Sequence, residues 1–366
     1  VDSLISILET AEQDSVKINL LIDIAWELQY SFPDSAKSYA LQAIDIAEKN
    51  DDKSGLANSY NVMGTINSNQ GQFQNALNYY EKSLELKKNL NDKNSMAGCY
   101  NNIGVIFYKK GEYSQAIKYY QKSLKIHEEN NDKSGIGTSL LNIGIIHHLQ
   151  NNFDRAIEYY EKALKMYEMT DKKRSVALIY SNMGGAFSML EQKEKSVEYF
   201  KKSLALFEDM NDKLGMSNSV NNIAVIYTSN NNYKEALKYF EKSLQYRKDI
   251  DNKDGVSHAL TNIANIYIKF AGESKDNAEK KRYYHKAIQN SDEALKIAKE
   301  IGSLLQENQA YEKLYSAYEG LNLYERAFSY QKYYMETKDS LFNKEKNKQI
   351  EELETKYQTE KKEQQL

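Results

Sequence analysis

A small residue returns every 40 positions along most of this chain, and this repeat constrains the fold more than any other feature. It ends words such as Asn-Met-Gly and Asn-Ile-Gly, at positions Gly64, Gly104, Gly144, Gly184, Ala224 and Ala264. Self-similarity at one long period is the signature of stacked structural units. The length of 366 residues otherwise suggests two or three ordinary domains, and the repeat favours an array instead.

Each copy of the repeat predicts two helices. Apolar positions recur at intervals of three and four, as in Ile103, Ile106 and Phe107, which is the helical period. A second small residue follows the first by twelve positions, at Ala76, Ala116, Ala156, Ser196 and Ala236. An aromatic pair follows it in all five copies.

Turns and caps can also be predicted. Gly and Asn, which tolerate positive φ, dominate the segments between the two helices at 109–113, 150–153 and 230–233. The word Asn-Asp-Lys separates successive copies, and its aspartates, Asp92, Asp132 and Asp212, are predicted N-caps.

Composition argues against several classes of protein. The 49 Lys and Arg nearly cancel the 52 Asp and Glu, and a formal charge of -3 provides no broad positive field for nucleic acid. The single Cys99 excludes an intramolecular disulfide and a multi-thiolate zinc site. No apolar run approaches the roughly 18 to 20 residues of a membrane span. The start at Val1 is interpreted as that of a processed or cut fragment.

No catalytic signature is recognisable. Phosphate loops, zinc-protease helices, serine-hydrolase elbows and kinase motifs are absent from the sequence. His147 occupies the position held by Phe107 and Phe187 in other copies, so a packed core role is predicted. Its neighbour His148 points about 100° away around the helix. We therefore predict no enzyme activity in this chain, no metal site and no cofactor.

The order of small and aromatic residues resembles the tetratricopeptide repeat (TPR). The copies are longer than the usual 34 residues, like those of kinesin light chain, the Rap-type bacterial regulators and the spindle-orientation adaptors. The resemblance implies an all-α, right-handed TPR superhelix (α-solenoid) of about eight helix pairs. The array is expected over 1–340, with units near 14–50, 54–90, 94–130, 134–170, 174–210, 214–250, 254–301 and 304–340. An insertion is expected around 270–281.

A column of asparagines lies two residues before the small position: Asn102, Asn142, Asn182, Asn222 and Asn262. Asn is a poor helix-interior residue, which favours a specific role for the column. In the 40-residue-type relatives, asparagines here line a peptide groove, and the resemblance implies backbone recognition of an extended peptide or protein segment. The alternative is that each Asn bridges neighbouring first helices. Expected flanking residues are Asn101, Tyr108, Leu141, His148, Asn221, Thr228 and Asn265.

The two ends carry a second resemblance. Val-Asp-Ser-Leu at the start, Pro33-Asp34-Ser35-Ala36, and the charged run from Lys338 to Tyr357 look like the sensory regions of Bacteroidetes membrane histidine kinases. This implies an extracytoplasmic, periplasmic input region of a two-component receptor, anchored by a membrane segment outside this chain, with a kinase domain following. A cytosolic TPR scaffold or a Rap-like peptide-responsive regulator is the alternative.

Residues 341–366 break the repeat and predict a charged connector helix that is cut short. Leu341 and Phe342 are expected to dock this helix on the last repeat. A short apolar stripe favours monomeric or weakly dimeric behaviour of this segment, with homodimerisation through a longer helix.

Overall fold

The computed structural model describes residues 1–363, with only the backbone described for residues 345 and 347–363. Over that range the chain forms seventeen helices and no strand, which confirms the all-α prediction. The helices are α1 Asp2–Thr10, α2 Asp14–Leu28, α3 Pro33–Lys49, α4 Lys53–Asn69, α5 Phe73–Asn89, α6 Lys93–Lys109, α7 Tyr113–Glu129, α8 Lys133–Leu149, α9 Phe153–Glu168, α10 Lys173–Met189, α11 Lys193–Asp209, α12 Lys213–Ser229, α13 Tyr233–Asp249, α14 Lys253–Glu273, α15 Asn277–Glu300, α16 Leu304–Gly320 and α17 Tyr324–Glu363.

The chain divides into two compact units, and the division falls inside α10. Unit 1 is Val1–Ala186 and unit 2 is Phe187–Leu366. Each unit stacks helix pairs, in which an even-numbered first helix packs against the following odd-numbered helix. The core of unit 1 includes Ile18, Leu21 and Met63, and that of unit 2 includes Leu260, Leu314 and Tyr318.

The first helices begin at capping side chains. The predicted caps Asp92, Asp132 and Asp212 are confirmed, because each Oδ1 accepts from a backbone N–H three residues later at 3.0–3.1 Å. Asp52 and Asn252 cap α4 and α14 in the same way. Such caps satisfy a donor that the first turn leaves unpaired.

The predicted turns within pairs adopt the left-handed conformation. Gly111, Asn151 and Asn231 have φ of 74°, 60° and 55°, as expected for these residue types. Glu191 takes the same conformation at 59°, without the usual Gly or Asn.

In three of the first helices an aromatic ring covers the small residue so closely that a side chain there would clash. A Cβ added at Gly64, Gly104 or Gly144 would come within 2.6–2.7 Å of the ring of Tyr80, Tyr120 or Tyr160 on the second helix of the same pair. Burial raises the pKa of Tyr80 to about 12, and it also raises the pKa of Tyr120 and of Tyr160. Ring packing therefore explains the repeat's most regular feature.

The predicted insertion lengthens two helices. Helix α14 has 21 residues and α15 has 24, whereas most helices of the array have 17. Residues 274–276 form the link between them.

The last helix contradicts one expectation. Phe342 was expected to dock on the last repeat, yet its side chain is 68% exposed. It lies seven and fourteen residues beyond Met335 and Phe328, which are also exposed, so the three share one stripe. Tyr330 and Tyr334 pack on the core from another face of α17, which turns this stripe outward.

Within residues 1–363, no helix is both long enough and apolar enough to cross a membrane.

Candidate functional site

The twelve residues predicted to line a groove all lie on first helices, and each is half-buried. Each of them is therefore partly accessible at the surface and partly restrained by packing. They are Asn101, Asn102 and Tyr108 on α6, Leu141, Asn142 and His148 on α8, Asn182 on α10, Asn221, Asn222 and Thr228 on α12, and Asn262 and Asn265 on α14. Their role in ligand binding stays a prediction.

Asparagine side chains tie successive first helices together within each unit. The Nδ2 atom of a column asparagine donates to the Oδ1 atom of an asparagine 41 residues earlier, one residue more than the repeat. We call this bond an asparagine staple. The staples run from Asn102 to Asn61 at 3.1 Å, from Asn142 to Asn101 at 2.9 Å, and from Asn262 to Asn221 at 3.3 Å. The bridging alternative is thus realised at three of the five column positions.

Asn182 differs from its stapled counterparts. The position that would accept its bond in the preceding repeat holds Leu141, which has no side-chain acceptor. The Asn182 side chain is half-buried on the same face, and it makes no hydrogen bond with any described residue of unit 1. Its amide is therefore available to a ligand without the loss of a staple.

Aromatic and histidine rings flank the column. Tyr108 lies against Tyr113, with ring centroids 6.5 Å apart, and His148 meets Phe153 edge to face at 5.3 Å. Burial lowers the pKa of His148, so the ring is neutral at neutral pH. None of the twelve lining residues is charged, and a lysine clamp for a C-terminal carboxylate is absent from these positions.

The structure also contains a pocket near the N-terminal end of unit 1 that the sequence did not predict. It has a volume of about 340 Å³, and α2 and α4 form its walls through Asn19, Ile22, Asp23, Trp26, Asn58, Asn61 and Val62. Asn61 is also the acceptor of the first staple, so the pocket adjoins the column. In the sequence the column begins at Asn102 because Val62 occupies the equivalent position of the preceding copy. The asparagine at position 61, three before Gly64, was the available signal.

The tyrosines of the second helices are accounted for by packing. His147 is 9% exposed and stacks on Tyr159 at 5.2 Å, as Phe107 stacks on Tyr119 at 5.3 Å. The predicted core role of His147 is therefore confirmed.

Lys122 lies over the Tyr119 ring at 4.7 Å, a cation–π contact. Burial raises the pKa of Tyr119, so this ring stays neutral.

Metal ligands are not grouped in the described part of the chain. No set of three or more His, Cys, Asp or Glu residues there is arranged to hold an ion. Cys99 is buried, and its Sγ lies 3.5 Å from the Ser83 hydroxyl. In place of metal ligands, the twelve lining residues offer amides, hydroxyls and rings.

Solved structures with a similar fold include a STAND protein, a quorum sensor and a Rap protein. A STAND protein with a tetratricopeptide repeat sensor from Pyrococcus horikoshii matches with a TM-score of 0.69 and 16% identity, over 92% of this chain and 49% of that one. This chain therefore spans about half of that protein. The apo quorum sensor NprR from B. thuringiensis matches with a TM-score of 0.59 and 15% identity, over 92% and 91% of the two chains.

A third similar structure is that of a Rap protein complexed with competence and sporulation factor. It has a TM-score of 0.52 and 13% identity, over 90% of this chain and 99% of that one. At such identities these likenesses concern the fold alone.

Sequence comparison identifies the repeat. No curated protein matches the chain. Two family profiles, both described as tetratricopeptide repeat, match it, one over residues 31–89 and 95–169 and the other over residues 217–250. The matched segments cover α3 to α9 and most of α12 and α13. These parts of the chain are tetratricopeptide repeats.

Proposed function

We propose that this TPR array is a non-catalytic interaction domain that binds an extended peptide or protein segment along its first helices. The observation that carries the proposal is the asparagine column, whose amides are half-buried and partly committed to staples. Other features of the first helices, such as the glycines under tyrosine rings, are explained by packing alone. The column is the feature that packing explains least.

The staple between Asn142 and Asn101 leaves three N–H donors and one oxygen of the two amides unused. The bond between Asn142 and Asn101 uses Nδ2 of the first residue and Oδ1 of the second. An amide side chain has two N–H donors and an acceptor oxygen. The Asn142 oxygen and the Asn101 Nδ2 group therefore stay available, at positions fixed by the staple. A peptide backbone presents the complementary C=O and N–H groups.

Fixed amides favour binding because little side-chain freedom is lost when the ligand arrives. The relatives add support for a sensing role. The NprR structure is described as a quorum sensor, the STAND protein as carrying a TPR sensor, and the Rap protein as complexed with competence and sporulation factor. We carry the class of function, peptide sensing, to this chain as part of the proposal.

The finer proposal is that the domain is the periplasmic input region of a membrane-anchored sensor histidine kinase. It rests on the resemblance of both ends to such receptors. The alternative is a cytosolic, Rap-like regulator, which the likeness to Rap and NprR favours. Reading the gene beyond codon 366 separates the two, since an apolar segment of about 20 residues followed by a kinase selects the receptor.

The last helix is proposed as a surface for self-association. Tyr324, Phe328, Met335 and Phe342 are exposed by 65%, 70%, 47% and 68%. The last three of these residues recur at the spacing of a coiled-coil seam. In a receptor, pairing of this helix gives the ligand signal a route to the output domain.

Selection from a random peptide library tests the proposed function. We expect the purified chain to retain peptides whose binding, measured by calorimetry, falls at least tenfold when Asn142, Asn182 and Asn222 are changed to Ala. The control is Asn78→Ala, an exposed asparagine on the second helix α5. Equal affinity of the triple variant and the control would leave the column with a structural role only.

A further inference from the structure

The pocket between α2 and α4 has a chemistry that the asparagine column lacks. Ile22 and Val62, which are 7% and 1% exposed, form a buried apolar floor. Trp26 stands at its side, 38% exposed, and is the single tryptophan of the chain. The apolar floor and the tryptophan suit a group with an aliphatic stem.

One charge faces this space. Asp23 is the only charged residue of the lining, and its exposed side chain makes no ion pair or hydrogen bond with any described residue. The side chains of Asn19, which is exposed, and of Asn58, which is half-buried, likewise make no hydrogen bond with described residues. By contrast, the Asn61 oxygen accepts the staple of Asn102. The pocket therefore holds a carboxylate and two amide oxygens that no described group satisfies.

We propose that this pocket binds an ammonium group of the peptide that occupies the first helices. The inference rests on the proposed function and names a specificity element for it. An ammonium has three N–H donors and no acceptor, which matches the Asp23 carboxylate and the oxygens of Asn19 and Asn58. The face of Trp26 attracts a cation as well.

Other occupants fit the lining less well. A carboxylate or phosphate on the ligand is repelled by Asp23. An apolar side chain removes water from Asp23 and the two asparagines without replacing their hydrogen bonds, which is unfavourable. The ammonium is either the peptide's N-terminus or a lysine side chain. The position beside Asn61, at the first end of the column, allows both.

The fluorescence of Trp26 reports occupancy directly because no other tryptophan contributes. The probes are library-selected peptides with a free N-terminus, the same peptides N-acetylated, the same peptides with each lysine replaced by norleucine, and n-butylammonium. The test variant is Asp23→Asn, which keeps the shape and removes the charge. The matched control is Glu27→Gln, an exposed glutamate on the same helix that does not line the pocket.

We expect binding to shift Trp26 emission and Asp23→Asn to weaken peptide binding by about threefold to tenfold, whereas Glu27→Gln has no effect. Loss on acetylation assigns the N-terminus, and loss on norleucine replacement assigns a lysine. The inference is overturned if neutralising every amine changes neither affinity nor emission, or if both variants behave alike.

The test separates the pocket from the proposed function. Peptides that depend on Asn182 but not on Asp23 overturn the pocket and leave the peptide groove intact. A shift with n-butylammonium that Asp23→Asn abolishes, without binding of any peptide, supports the pocket and overturns the groove. Failure of every probe overturns both.

Discussion

The Nδ2 atom of Asn142 donates a hydrogen bond to the Oδ1 atom of Asn101 across 2.9 Å and so joins the first helices of two successive repeats. A buried or half-buried hydrogen bond of this kind contributes about 0.5 to 1.5 kcal/mol to stability. Its second effect is orientation, because it fixes the remaining amide atoms of both residues on the surface. The same contact thus connects stacking of the array with its proposed recognition of peptide backbone.

Any side chain at Gly144 is predicted to destabilise the protein because a tyrosine ring covers this residue. A Cβ there would lie 2.7 Å from Cε1 of Tyr160 and 3.2 Å from Cβ of Tyr159. We expect Gly144→Ala to lower the free energy of unfolding by about 1 to 3 kcal/mol through overpacking. Urea denaturation followed by circular dichroism measures the change.

Gly98 provides the matched control for that substitution. It also lies within a helix, α6, but a Cβ there meets nothing within 4 Å. Gly98→Ala should therefore raise stability by about 0.5 to 1 kcal/mol, the usual gain at an unstrained helical glycine. Destabilisation of similar size by both changes would contradict the packing explanation of the repeat.

His258 is predicted to make stability depend on pH. Burial lowers its pKa, and the positive charge of Arg247 lowers it further, while Asp254 acts in the opposite direction. The unfolded pKa is about 6.5. Because the folded pKa is depressed, this contribution to stability is present above about pH 6.5 and is lost as the pH falls through the folded value.

An NMR titration of the ring should give a pKa for His258 below the ordinary histidine value. In His258→Gln, the fall in unfolding free energy below about pH 6.5 should be smaller than in the unsubstituted protein. His285→Gln serves as the control because that ring is exposed on α15. If unfolding free energy depends on pH in the same way in His258→Gln and in the unsubstituted protein, the pKa of His258 is not lowered by folding.

Polar substitutions in the exposed stripe on α17 are predicted to weaken self-association. Changing Phe328 and Phe342 to Ser removes two rings that are 70% and 68% exposed. We expect sedimentation equilibrium of a chain extended by several heptads to show a dimer that this double change weakens several-fold. Tyr30→Ser, which removes a 78% exposed ring from unit 1, should leave the dimer unchanged. A monomeric extended chain would remove the support for signalling through the last helix.

Features that repeat along the chain could be predicted from sequence. The caps, the turns and the packed His147 follow from residue types at fixed offsets, because each copy meets the same local environment. The ring over each glycine also follows the repeat, although its identity as the second tyrosine of the pair emerged only from the structure.

Features that depend on the lateral offset between helices could not be predicted. The staple joins residues that are 41 positions apart, whereas the repeat has a period of 40 residues. Aligning equivalent positions of the repeat therefore does not show that Asn101 accepts a hydrogen bond from Asn142. The pocket around Asp23 and Trp26 lies in a degenerate first unit, where the repeat gives no reliable register. Phe342 was misjudged because hydrophobicity alone does not show which face of a terminal helix meets the core.

The most direct test of the account compares Asn182→Ala with Asn142→Ala in the same two measurements, unfolding free energy and peptide affinity. Asn182 makes no staple in unit 1, so its replacement should leave stability unchanged or slightly higher, since Ala is the better helix former. Its effect on affinity should be about twofold to tenfold, the worth of one amide contact. Asn142→Ala should lower both peptide affinity and the free energy of unfolding, the latter by about 0.5 to 1.5 kcal/mol, because it removes a staple. Peptide recognition by the asparagine column is contradicted if Asn182→Ala binds library-selected peptides as tightly as the unsubstituted chain.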